Sequence, residues 1–210
     1  MKAIVKPKPV DGQVWPSGFQ FIDKPEPRIQ EPNDVIIRVY AGAVCGTDVG
    51  IYNGKESLRV MMLKSLTDPV TIGHEFSGRI VDAGKKARSH LARLLLQKAK
   101  TNKDLQKRFR NRSAGSLASD RKFLPVLESE FFSTAEMHIT CGTCYQCKMG
   151  EKHVCRNTVI KGVQDDGAWA KYLKIPAQNV RLFSKGEIPP EIISFMDALG
   201  NATHTVMSAP

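Results

Sequence analysis

Cys141-Gly-Thr-Cys144-Tyr-Gln-Cys147-Lys-Met-Gly-Glu-Lys-His-Val-Cys155 sets four sulfurs at C-x2-C-x2-C-x7-C spacing. Two-residue gaps let tight turns aim consecutive thiolates at one cation, and the longer gap brings the chain back with a fourth. That pattern describes a tetrahedral sulfur cage around a structural Zn2+. Two disulfides in a secreted domain are the competing reading. The opening residues, MKAIVKPKPVDG, hold no apolar run able to act as a secretion signal, so zinc is preferred. Four protein ligands leave no position for substrate, so this lobe, residues 138–160, is a staple and not a catalyst.

Outward from the lobe, the 210-residue chain is 41% apolar, low for a folded protein but outside the disordered class. No stretch reaches the ~20 apolar residues of a membrane span, which points to a cytoplasmic, reducing setting with no membrane partner. The net charge of +10 is local in origin. Between Lys85 and Lys122 there are thirteen Lys or Arg against Asp104 and Asp120, a balance of +11 that leaves the rest at −1. Leu91, Leu94, Leu95, Leu105 and Phe109 recur at helical intervals there, which predicts a basic helix over about 89–112 followed by a loop. Without interleaved aromatics, residues 85–133 read as an atypical, solvated insertion, and a nucleic-acid or anionic-surface role is the less favoured alternative.

The remainder reads mainly as β structure with some α. Met1 to Lys6, Val35 to Tyr40 and Phe76 to Ala83 are strand candidates, with no sustained helical period before Gly84. Gly167 to Ile175 alternates as a strand does. Pro189-Pro190 opens a helix predicted to carry Ile192, Ile193 and Met196 on one side.

A second set of donor-type residues lies upstream, in Cys45-Gly-Thr-Asp48 and Gly73-His74-Glu75. A catalytic zinc takes three protein ligands and one exchangeable position, often with sulfur and imidazole among them. Taken singly, Cys45 reads as a small buried apolar residue and His74 as a satisfied core histidine, and spacing cannot join positions about thirty residues apart. In order, however, CGTD, GHE and the four-cysteine lobe resemble the zinc-dependent medium-chain alcohol dehydrogenases. His138-Ile-Thr-Cys141-Gly, HVCRNT around Cys155, IPAQN at Ile175 to Asn179 and LGNATHT at Leu199 to Thr205 narrow the resemblance to the threonine-oxidising branch.

That resemblance implies a GroES-like, partly open β-barrel over residues 1–194 that carries two Zn2+ sites. Residues 195–210 would begin the connection to a Rossmann domain for NAD. By the resemblance Cys45 and His74 hold the catalytic zinc, and Glu75 binds it directly or stands behind a ligand. Asp197 is a fourth ligand exchanging with water or substrate, and Cys141, Cys144, Cys147 and Cys155 hold the structural zinc. Thr47 matches the hydroxyl that starts the family's proton relay, and His138 a histidine that handles substrate. The implied substrate is a small alcohol, L-threonine first, with a polyol or butanediol as the alternative inside the superfamily. A non-catalytic zinc protein is the alternative outside it.

Three departures qualify the match. Gly50 stands where the threonine branch has its relay histidine. Nearly fifty residues replace a short family link with a Gly-Asp turn, which would leave a strand missing and the barrel strained or open. No G-x-G-x-x-G occurs in these residues, so the NAD domain is expected to be absent, with no turnover by the chain alone and no family tetramer.

Overall fold

A computed structural model describes residues 1–208. The first half runs β1 (Lys2–Lys6), β2 (Gln20–Asp23), β3 (Asp34–Gly42), α1 (Gly46–Tyr52), α2 (Glu56–Met62), β4 (Val70–Thr71) and β5 (Phe76–Ala83). The basic segment follows as α3 (Lys85–Ala99), α4 (Lys103–Arg108), α5 (Ala114–Ala118) and α6 (Phe123–Glu130). Then come β6 (Phe131–Ala135), β7 (His138–Ile139), α7 (Tyr145–Lys148), β8 (Val159–Ile160), β9 (Tyr172–Pro176), β10 (Val180–Ser184), α8 (Pro190–Ile193) and α9 (Met196–Met207). The main sheet has the order β10-β6-β5-β3-β9, and β2-β1-β4 forms a smaller one. β9 and β10 remain as free edges, so the sheet is open as expected. No described helix is long and apolar enough to cross a membrane.

The pairing of β3 with β5 is antiparallel from Val35↔Ala83 to Gly42↔Phe76, with irregularities after Ile36 and Val39. It sets the end of β3 beside the start of β5, where the upstream donor residues lie. Residues 167–169 add a short rung: the Gly167, Ala168 and Trp169 amides donate to Thr71, Gly73 and Ile72 carbonyls. The strand read over 167–175 is therefore two pieces, this rung and β9, with Leu173 and Ile175 buried.

Helices differ more from expectation. α1 and α2 occupy a region without helical period, because seven-residue helices are too short to show one. The helix predicted over 89–112 begins at Lys85 and is broken after Ala99. Asn102 caps a new start, its side chain accepting from the Asp104 and Leu105 amides at 3.1 Å. The basic segment is not a solvated insertion. Ala87, Leu91, Ala92, Leu95 and Ala99 fall on one face of α3 and join Leu105, Leu117, Phe123 and Leu127 in the main core beside Ile37, Phe76 and Ile80. Arg88 pins the segment further, donating to the carbonyls of Ala118 and Asp120 at 2.8 Å. Its charges face outward on helices whose inner faces are apolar. Near the C-terminus, α8 is one turn with Pro190 at its first position; Ile193 is buried, Ile192 is exposed, and Met196 starts the next helix. The connection expected over 195–210 is helical through Met207, while Ala209 and Pro210 lie outside the described residues.

Candidate metal centres

The four-cysteine lobe hangs between β7 and β8. All five cysteines of the chain are free thiols, and the sulfurs of Cys141, Cys144, Cys147 and Cys155 lie within 4.8 Å of one another. Cys141 and Cys144 stand 3.6 and 3.8 Å from Cys155. Sulfurs bound about 2.3 Å from one tetrahedral ion would be about 3.8 Å apart, so the spacing fits zinc and does not fit a disulfide. Backbone amides of Cys141 and Cys144 donate to the sulfurs of Cys155 and Cys141 at 3.4 and 3.3 Å. The Cys141 thiol is lowered to about 5, first by hydrogen bonding to Thr143, whereas burial pushes Cys147 up to about 12. A cation accepting all four as thiolates removes that conflict.

At the other centre, Cys45 is the cap residue of α1, and its amide donates to Asp48 Oδ2 at 2.8 Å. His74 and Glu75 come from the link into β5. Gly73, at φ +86°, makes the turn that sends His74 inward; a Cβ there would land on the Trp169 ring. Trp169 is itself held by Ala43, to whose carbonyl its Nε1 donates at 3.3 Å, and the Ala43 amide donates to the Glu75 carbonyl at 3.0 Å. These bonds draw the ligand-type atoms of Cys45, His74 and Glu75 within 4.8 Å of one another.

Behind them stands Asp48, which sequence reasoning left unassigned. It is fully buried, and its Oδ1 lies 3.6 Å from His74 Nδ1. At that separation they are not hydrogen-bonded, and neither atom has a hydrogen-bond partner among the described residues. Burial raises the Asp48 carboxyl, against the Cys45 amide and the His74 charge. A proton on Nδ1 facing Asp48 leaves the opposite ring nitrogen with a lone pair for a cation, the usual way a carboxylate orients a metal-binding histidine. Burial also raises Glu75, and neighbouring Asp197 and Asp48 add to it. Sulfur, imidazole and a carboxylate short of countercharge form a donor set that fits zinc. The C-x-x-D spacing, a capping-box pattern at a helix start, was the available signal for Asp48.

Asp197, on α9, stays outside the 4.8 Å set, although both Glu75 and His138 feel its charge. Thr47 is half-buried in the first turn of α1, two residues from Cys45. Gly50 lies where α1 meets α2, and a Cβ there would sit 2.5 Å from Leu58 Cδ1, so a relay histidine would require Leu58 to move. His138 Nδ1 is 2.6 Å from Glu136 Oε1, and this hydrogen bond chiefly raises the imidazole. Asn179 holds the pair's backbone, donating to the Glu136 and His138 carbonyls at 2.9 and 3.0 Å.

An open sheet with a thiolate lobe and a separate Cys/His/Glu cluster defines a domain able to hold two metal ions. Residues 31–93 match the family description "Alcohol dehydrogenase GroES-like domain". L-threonine 3-dehydrogenases from Caldanaerobacter subterraneus and a Chelativorans species are each 36% identical over 208 residues, 99% of this chain and 46% of theirs. The alcohol dehydrogenase of Aeropyrum pernix superposes over 93% of this chain and 43% of its own with a TM-score of 0.61 at 21% identity. The chain is therefore similar to alcohol and threonine dehydrogenases along nearly its whole length, and to a GroES-like domain of alcohol dehydrogenases over residues 31–93. It spans about half the length of the curated relatives it matches.

Proposed function

We propose that these residues form the zinc-bearing half of a dehydrogenase that oxidises a secondary alcohol, with L-threonine as substrate and NAD as hydride acceptor. The observation that carries this is the convergence of Cys45, His74 and Glu75 with Asp48 behind the imidazole. The names of the relatives support the threonine assignment. Zinc at that centre supplies Lewis acidity that lowers the pKa of a bound hydroxyl. Cys45 and His74 would hold the ion, Glu75 would complete the set, and Asp197 on α9 would be the partner that exchanges with water or substrate. Thr47 takes up the substrate hydroxyl proton. With Gly50 in the relay, that proton leaves through water. His138, held by Glu136, handles the substrate's polar groups. Four thiolates keep the second zinc structural. Hydride transfer needs a nucleotide site, and no G-x-G-x-x-G occurs in these residues to build the usual one.

Metal analysis of reduced protein tests the reading, with about two zinc ions per chain expected and about one in Cys45→Ser. The 210 residues alone should form no NADH. Joined to the nucleotide-binding domain of the Caldanaerobacter relative, they should do so with L-threonine in preference to 2,3-butanediol. Fewer than one zinc per chain would defeat the assignment. Preference for butanediol would defeat the substrate alone.

A further inference from the structure

The first turns of α3 border a hollow of about 470 Å3, lined by Lys85, Lys86, His90 and Arg93 from the helix and by Gln178 from the turn Ala177–Asn179. None of its lining residues among those described is a carboxylate, and none is a metal donor named above. Elsewhere in the basic segment Lys98 pairs with Glu187, Arg108 with Glu130 and Arg112 with Asp120, while Lys100, Lys103, Lys107, Arg110, Arg121 and Lys122 form no ion pair among the described residues and do not line the hollow. Lys85, Lys86 and Arg93 form no ion pair among the described residues. Arg181, from β10, lies outside this lining and shares another hollow with Glu136. Burial lowers the His90 imidazole first, and the charges of Arg93 and Arg181 lower it further.

Three cations, Lys85, Lys86 and Arg93, thus line one concavity that has no carboxylate in its described lining. Their mutual repulsion is relieved only by an anion from outside, and most by one carrying several charges. Guanidinium forks and ammonium groups match phosphate oxygens in geometry and charge. At about 30 Å3 per liquid water the hollow has room for on the order of fifteen, more than a lone orthophosphate needs. We propose that this hollow is a binding site for a small soluble anion bearing a di- or triphosphate group, held by Lys85, Lys86 and Arg93. The site does not depend on the dehydrogenase reading.

Calorimetric titration of the zinc-loaded chain with inorganic tripolyphosphate at about 0.15 M ionic strength tests it. One saturable site is expected. Lys86→Gln with Arg93→Gln should weaken it at least tenfold, while Lys100→Gln with Arg110→Gln, which removes the same charge outside the hollow, should change it less than twofold. All four side chains are exposed, so folding is not at risk, and zinc content verifies this. Equal weakening by both double variants would mean diffuse net charge and overturn the site. So would absence of saturation up to about 1 mM. A ten-nucleotide RNA bound tenfold tighter than tripolyphosphate would assign the surface to nucleic acid and overturn the small-anion reading.

Discussion

The two metal centres are assembled in opposite ways. The thiolate lobe draws all its ligand-type sulfurs from Cys141 to Cys155, and its amide-to-sulfur bonds run among those residues and the nearby Asn157. The Cys45 centre takes one donor from the start of α1 and two from the link before β5. It holds them through Gly73, Trp169, Ala43 and Asp48. A short loop closes at small entropic cost and needs only its spacing. The second centre exists only where β3, β5 and the 167–169 rung are already in place, so its integrity reports on the fold.

The most drastic way to sharpen this contrast is Cys147→Ser. Structural zinc contributes on the order of 10 kcal/mol in isolated zinc-binding peptides. We expect loss of one zinc equivalent and proteolysis within 138–160, with the Cys45 centre still loaded. If both ions left together, the centres would not be independent. Next in size is Leu95→Ala, on the buried face of α3, expected to cost about 2–5 kcal/mol in urea unfolding. Because α3 shares its core with β5 residues, zinc should leave the Cys45 centre at lower urea than it leaves the lobe. A cost below about 0.5 kcal/mol would return the basic segment to the surface. Asp48→Asn should weaken zinc at the Cys45 centre about 10- to 100-fold and leave the lobe unchanged, as competitive chelator titration would show. An unchanged affinity would remove Asp48 from the site.

The smallest effect concerns His138. Hydrogen bonding to Glu136 raises its imidazole above 6.5, burial opposes, and the charges of Glu136 and Asp197 assist. A raised histidine stabilises the folded state fully below its ordinary value, and that contribution fades as pH climbs through the raised one. NMR titration of His138 should give a midpoint above 6.5 that falls back in Glu136→Gln. No movement would detach Glu136 from His138.

Legibility followed the same division. Cys141 to Cys155 were readable from spacing, and CGTD and GHE from family resemblance, yet neither disclosed that Asp48 faces His74. The basic segment misled because its charges outnumber its leucines. Composition averages over faces, whereas packing separates them: Leu91 and Leu95 turn inward while Lys86 and Arg93 remain in solvent. Asp197 was carried over by analogy, and its carboxylate stands outside the 4.8 Å set.

By itself, the amino-acid order determined the four-cysteine spacing, the strands β1, β3, β5 and β9, and the CGTD and GHE motifs, within a fold that holds more helix than strand. These depend on short-range spacing, turn chemistry and residue type. Tertiary structure alone decided that Cys45 meets His74 and Glu75, that α3 belongs to the core, and that Lys85, Lys86 and Arg93 border one hollow. Each of those depends on which distant segments pair and pack, a choice made by the burial of the whole chain and written in no local run of residues.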